Sequence, residues 1–206
     1  LSDYMAYKGM KNPEKKVVVG YDRRFLSEEF ARQFSLVLKN NGVNCVLSQT
    51  PLPTPAISLL THKKYALGVV ITASHNHYLY NGVKIKYQGR SVPPAMTAEI
   101  ESHIPKVFNH AMTNMEIEKK DFRAEYCEYL NSKFNLKKLL SRLKGKVVID
   151  FMYGASAEVC EALFGGAKNV IVINTGRDPL FGKIGAPEPV EKNLSELCKA
   201  VKDHKA

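Results

Sequence analysis

The sequence predicts an α/β protein built as two consecutive three-layer α/β/α domains with mainly parallel mixed sheets. Two observations carry this expectation. Short apolar runs of strand length (16–20, 43–47, 67–71, then 146–150 and 169–173) alternate with stretches of helical periodicity. A polar middle containing Pro93-Pro94 separates the two alternating stretches, which places the first domain at 1–115 and the second at 120–206.

In the first stretch, Lys16-Val17-Val18-Val19-Gly20 reads as a strand ending in the loop Tyr21-Asp22-Arg23-Arg24. A helix follows, with Ser27 as N-cap, Glu28 and Glu29 in its first turn, and Phe30, Phe34, Val37 and Leu38 on one apolar face. Asn41-Gly42 supplies its stop. After the strand at 43–47, Pro51, Pro53 and Pro55 impose an extended loop, and a helix over 56–62 leads to the strand at 67–71. The middle holds a short helix near 96–103. A longer one at 121–135 carries Phe122, Tyr126, Tyr129, Leu130 and Phe134 on one side, expected as core. The second stretch is strand 146–150, a turn at Gly154 with a helix to Phe164, strand 169–173, a Pro- and Gly-punctuated loop over 174–192, and a helix from Asn193.

Composition excludes little and bounds much. At 206 residues the chain holds one large domain or two small ones, and no stretch is long and apolar enough to span a membrane. Cys45, Cys127, Cys160 and Cys198 form no CxxC pair and no zinc spacing, so reduced thiols of a cytoplasmic protein are expected. The +10 formal charge raises nucleic acid as a partner. The basic residues are scattered in short groups such as Lys15-Lys16 and Lys63-Lys64, the pattern of solvated faces or of a site for an anionic small molecule. Neither βα turn carries GxGxxG, which argues against a dinucleotide.

Chemistry concentrates in Thr72-Ala73-Ser74-His75-Asn76, just past the strand at 67–71, where open α/β sheets put their sites. A polar turn is the competing reading. A serine hydroxyl needs a base or a held electrophile, and the adjacent His75 points the wrong way for a triad; no GxSxG elbow is present. A phosphorylated Ser74 suits the company better, because its near-dianionic group calls for cations and N–H donors. Arg24, from the preceding strand's loop, and Lys84, just after the Ser74 loop, are the cations at hand. For Arg24 the alternative is a surface arginine paired with Glu28; for Lys84 it is a solvated strand-end lysine.

Thr72-Ala73-Ser74-His75-Asn76 followed by Tyr80-Asn81-Gly82-Val83-Lys84 resembles the phosphoserine loop of the α-D-phosphohexomutases, the phosphoglucomutase and phosphomannomutase superfamily. Val19-Gly20-Tyr21-Asp22-Arg23-Arg24 resembles that family's Gly-x-Asp-x-Arg turn, and Pro53-Thr54-Pro55 its Thr-Pro loop. Asp178-Pro179-Leu180-Phe181, Pro187-Glu188-Pro189 and Asn193-Leu194 resemble loops of its second domain. The order and spacing of these short matches make the resemblance specific.

The resemblance implies a phosphoryl shuttle between hexose 1-phosphate and hexose 6-phosphate through a phosphoserine and a bisphosphorylated sugar. It implies Ser74 as the phosphoryl carrier, Lys84 and secondarily His75 in acid–base work, Arg24 at phosphate, and Asn76 shaping the loop or touching phosphate through its backbone. Mg²⁺ would sit on an oxygen of the Ser74 phosphate, and glucose 1,6-bisphosphate would serve as activator and intermediate. Tyr80-Asn81-Gly82-Val83-Lys84 leans towards the glucose or mannose phosphate branch over glucosamine phosphate. The family's Asp-Gly-Asp-x-Asp metal segment, its sugar-reading loop and its phosphate clamp are absent from the sequence. The expectation is therefore a first domain incomplete at its start and most of a second, inactive without domains III and IV of the same polypeptide. One departure falls inside the loop: His77 stands where the family usually has Pro, freeing a backbone N–H and loosening the turn. A non-catalytic sugar-phosphate-binding member of the same fold, and a basic nucleic-acid-binding α/β domain, are the alternatives.

Overall fold

A computed structural model describes residues 1–12, 14–105 and 113–206; residues 106–112, inside the first expected domain, lie outside the description. The chain runs α1 (Ser2–Tyr7), β1 (Val17–Tyr21), α2 (Ser27–Asn40), β2 (Cys45–Ser48), α3 (Thr54–Lys63), β3 (Leu67–Ile71), β4 (Val83–Tyr87), β5 (Arg90–Ser91), α4 (Pro94–Ser102) and β6 (Glu118–Lys120). The second half follows with α5 (Arg123–Lys133), α6 (Leu136–Ser141), β7 (Val147–Asp150), α7 (Ala157–Phe164), β8 (Val170–Ile173) and α8 (Ser195–His204).

The first sheet has the order β5-β4-β3-β1-β2-β6. Its centre is parallel, with β1 between β3 and β2, and its β4–β5 edge is antiparallel. Every residue of β1 and β3 is buried, as expected for central strands covered by helices on both faces. Gly20 on β1 and Gly68 on β3 make room for α3. A Cβ at either would lie 2.6 and 2.7 Å from the nearest atom of the Ile57 side chain, so the helix packs against bare backbone. The other face is closed by α2, with Ala31 and Leu38 buried against Val17, Val19 and Val69.

Some expectations change at the local level. The buried face of α2 is Ala31, Ser35 and Leu38, whereas Phe30 and Val37 are more than two-fifths exposed. Leu36 is buried as well, and Phe34 packs part-buried against the same core, so Phe34 and Leu38 of the expected face hold while Phe30 and Val37 turn outward. Ser27 is the first helical residue, not the N-cap; Leu26 takes that position at φ 57°, and the Ser27 hydroxyl donates to Asp22 Oδ1 at 2.7 Å. In the 121–135 stretch, Phe122 is core but Phe134 is exposed, because α5 ends at Lys133 and Phe134 is already extended. The first sheet also reaches past residue 115, since β6 pairs in parallel with β2.

The second half holds a two-stranded parallel sheet, β7 with β8, with α8 against β7 and α7 against α5. It meets the first half at one end. Because Tyr21 and Ile71 are register partners on parallel strands, the loops after β1 and β3 emerge side by side, and the N–H of Leu52 donates to Tyr21 O to bring the loop after β2 beside them. The carboxyl edge of the sheet is thus where chain segments far apart in sequence converge.

Candidate active site

Ser74 follows β3 with φ 60°, a left-handed conformation that costs a non-glycine residue roughly 1 kcal/mol. Two neighbours support it: the Ser74 N–H donates to Thr72 Oγ1 at 2.9 Å, and Thr72 N–H donates to Gly82 O at 2.9 Å. The Ser74 side chain is exposed and, with His75, lines a cleft of ≈ 440 Å³ between the halves. Asp22, Thr54 and Thr72 contribute from the first half; Asp150, the Gly154-Ala155-Ser156 turn before α7, and Phe181 contribute from the second. Ser74 and His75 are thus the predicted residues that the fold brings to the cleft.

Arg24 is placed otherwise than expected. It is 1% exposed and does not face the cleft. Its Nη1 donates to the carbonyls of His77 and Tyr80, both at 3.0 Å, and its Nη2 to those of Ser74 (2.8 Å) and Asn76 (2.7 Å). Nε lies 3.2 Å from Asp22 Oδ2, an ion pair, and the Phe181 ring lies 5.0 Å from the guanidinium carbon. Its terminal donors are spent on the loop backbone and the group is buried, so it is not a surface arginine paired with Glu28. Burial lowers its pKa, against the opposing effect of Asp22. Asn76 is likewise committed: its N–H donates to Ala73 O at 3.1 Å, so a phosphate contact through that N–H would break the turn.

Lys84 sits on β4 opposite Val70, half-buried and outside the cleft lining; it borders a separate cavity of ≈ 550 Å³ near α2 and α4. Its neighbour Lys86 is 5% exposed, donates to Ser91 Oγ at 2.7 Å, and has its pKa lowered by burial and secondarily by Lys84. His77 is held on several sides. Its carbonyl is held by Arg24, its ring stacks on Tyr78 at 4.2 Å, and the next N–H, of Tyr78, donates to Gly185 O at 2.8 Å.

Sequence reasoning assigned no individual role to Arg23, Thr72, Asp150 or Phe181. Arg23 is 7% exposed and donates to Glu158 and to the carbonyls of Thr175 and Gly176 in the second half. The adjacent Arg23-Arg24 pair at a strand end was the available signal, since two charges leaving a buried strand need partners. Among the described residues no three His, Cys, Asp or Glu side chains gather to hold a metal. The described residues by themselves supply no ligand set of that kind for Mg²⁺.

Profiles of known families match almost the whole chain: Phosphoglucomutase/phosphomannomutase, alpha/beta/alpha domain I over 2–110, and domain II over 124–206. The chain belongs to the phosphoglucomutase/phosphomannomutase family. Curated relatives include a phosphoglucosamine mutase of Thermotoga neapolitana, 32% identical over 97% of this chain and 47% of its own length. Another is a phosphoglucosamine mutase of Shewanella oneidensis, 33% identical over 91% of this chain and 42% of its own. A crystal structure assigned to phosphomannomutase from Thermus thermophilus superposes with TM-score 0.85 at 33% identity, covering 97% of this chain and 45% of that one. A Paramecium parafusin structure, at TM-score 0.69 and 21% identity, shares the fold. The chain spans about half the length of the relatives it matches.

Proposed function

We propose that this chain carries the phosphoryl-accepting half of a phosphohexomutase, with Ser74 as the group that is phosphorylated. The observation that carries the reading is Ser74 itself: a strained, side-chain-exposed serine held at the mouth of a cleft where the loops after β1, β2 and β3 meet the second half. Family membership supports the kind of reaction. Phosphoserine donates its phosphoryl group to a free hydroxyl of a hexose monophosphate; the Ser–O–P bond breaks, a sugar–O–P bond forms, the hydroxyl proton passes to a base, and the departing Ser74 oxygen takes up a proton. The bisphosphate turns over, and its other phosphate returns to Ser74.

His75, which lines the cleft, and Lys84, which stands outside its lining on β4, are the proposed proton carriers. Catalysis of this type rests on positioning and charge neutralisation. Glucose 1,6-bisphosphate is the proposed activator and Mg²⁺ the proposed cofactor, held through the Ser74 phosphate with its other ligands outside this chain; domains III and IV of the same polypeptide are the proposed partners. A cytoplasmic setting is part of the same proposal. Relatives named for glucosamine phosphate and a structure named for mannose phosphate match at similar identity, 32% and 33%, so the leaning towards the glucose or mannose branch gains no support.

The test is incubation of the parent polypeptide with glucose 1,6-bisphosphate, followed by intact mass and peptide mapping. One phosphate on the peptide containing Ser74, and loss of turnover in Ser74→Ala, are expected; phosphate elsewhere or surviving activity would sink the reading. The 206-residue chain alone is expected to have no appreciable mutase activity, and robust turnover would count against that.

A further inference from the structure

We infer that Arg24 is the positioning residue for the phosphoryl step, holding the Ser74 loop in one shape from beneath while Phe181 of the second half closes over it. The inference rests on the proposed role of Ser74. Four carbonyls of a seven-residue loop, those of Ser74, Asn76, His77 and Tyr80, converge on two nitrogens of one buried side chain. Nothing else in the loop forms a hydrogen-bonded ladder, so this guanidinium stands where regular structure would otherwise hold the backbone.

The geometry has a directional consequence. A trans peptide sets the N–H of each residue opposite the preceding C=O. Capture of Ser74 O and Asn76 O therefore turns the N–H groups of His75 and His77 away from Arg24, to the outer side of the loop, and among the described residues neither has an acceptor. The same contact to Ser74 O constrains the residue that carries the nucleophile, whose own N–H is fixed by Thr72. Ser74 is thus pinned on both its peptide groups.

The second half completes the grip. Phe181, 3% exposed and at φ 57°, lays its ring against the guanidinium, and Gly185 O takes the N–H of Tyr78. Gly185 has φ +67°, and a Cβ there would lie 3.3 Å from His77 Nε2, so the second-half loop fits closely against the Ser74 loop. At the loop's far end, Asn81 Nδ2 donates to Ser27 Oγ, which donates to Asp22 Oδ1, the carboxylate paired with Arg24. A lysine cannot substitute: its three donors radiate from one atom, whereas the planar fork spans two pairs of acceptors.

The test uses the parent polypeptide with Arg24→Lys and Phe181→Leu, each checked for folding by thermal melting. For folded Arg24→Lys, kcat is expected to fall about 100-fold while KM for the hexose phosphate moves less than about threefold, because a misplaced nucleophile costs rate, not ground-state binding. The ³¹P resonance of the phosphoserine is expected to shift. Phe181→Leu is expected to lower kcat by about tenfold in the same pattern. A folded Arg24→Lys enzyme with near-normal kcat, or one whose loss lies wholly in KM, overturns the inference. If Arg24→Lys does not fold, unchanged kcat in Phe181→Leu overturns it, and the expected fall supports it. Wild-type protein that acquires no phosphate overturns the reading of Ser74 and this inference together, whereas full activity in both wild type and Arg24→Lys overturns this inference alone.

Discussion

Arg23 Nη2 lies 2.9 Å from Glu158 Oε1, and this ion pair joins the loop after β1 to the first turn of α7. Arg23 also donates through Nη1 to the carbonyls of Thr175 and Gly176, so one buried side chain ties two segments of the second half to the first sheet. Arg123 approaches the other Glu158 oxygen at 3.6 Å and pairs with Asp121, extending the link to α5.

Removing Arg23 leaves a carboxylate and two carbonyls short of donors. Arg23→Met is expected to destabilise the chain by about 2–4 kcal/mol, because breaking a buried pair strands its partner. Urea denaturation reads this as a lower midpoint. The double variant with Glu158→Gln should lose less than the sum of the singles, since the two share one interaction. Strict additivity would mean that the halves are held elsewhere.

The left-handed Ser74 predicts an ordering of stabilities that has nothing to do with activity. Both Ser74→Ala and Ser74→Gly abolish the phosphoryl acceptor, but glycine relieves the positive φ. Ser74→Gly is therefore expected to be about 1 kcal/mol more stable than Ser74→Ala, less any gain in unfolded-chain entropy. Equal melting temperatures would indicate that the loop is not strained at this residue.

Lys86 predicts a pH-dependent stability difference. Burial first, and Lys84 second, hold its pKa below the ordinary lysine value. The folded state thus releases the proton before the unfolded chain does, so the penalty is full below the folded pKa and disappears as pH rises towards the unfolded value. Lys86→Met is expected to stabilise by about 1–3 kcal/mol near neutral pH, the gain shrinking at alkaline pH. The comparison is made as a difference between proteins, because Cys45 (pushed by burial to about 11) and Tyr21 (to about 12) titrate nearby with the opposite sign. A variant no more stable than wild type at about pH 7 would show that the Ser91 hydroxyl fully solvates the ammonium.

Most of the element order was legible because it depends on short-range pattern. The buried strands β1 and β3 are continuous apolar runs, and Asn41-Gly42 ends α2 through Gly42 at φ +72°. The face that α2 buries was only half legible. Phe34 and Leu38 of the expected face do pack on the core, but Phe30 and Val37 satisfy the same periodicity and stay exposed while Ala31 and Ser35 are buried, a choice made by how the helix is rotated on the sheet.

The site divides along the same line. Ser74, His75 and their place after a central strand follow from the sequence, because strand ends and turn residues are local signals. Arg24 was visible as a cation but not as a scaffold: its partners lie 50 to 56 residues away, and only parallel pairing of β1 with β3 puts the two loops side by side. Arg23 and Phe181 reach across longer separations still, to or from the second half. By itself the sequence determined the two alternating α/β halves, the serine loop and the family it resembles. The tertiary structure decided which charges face the cleft and which are spent holding its backbone, because a buried guanidinium goes wherever packing leaves carbonyls unpaired.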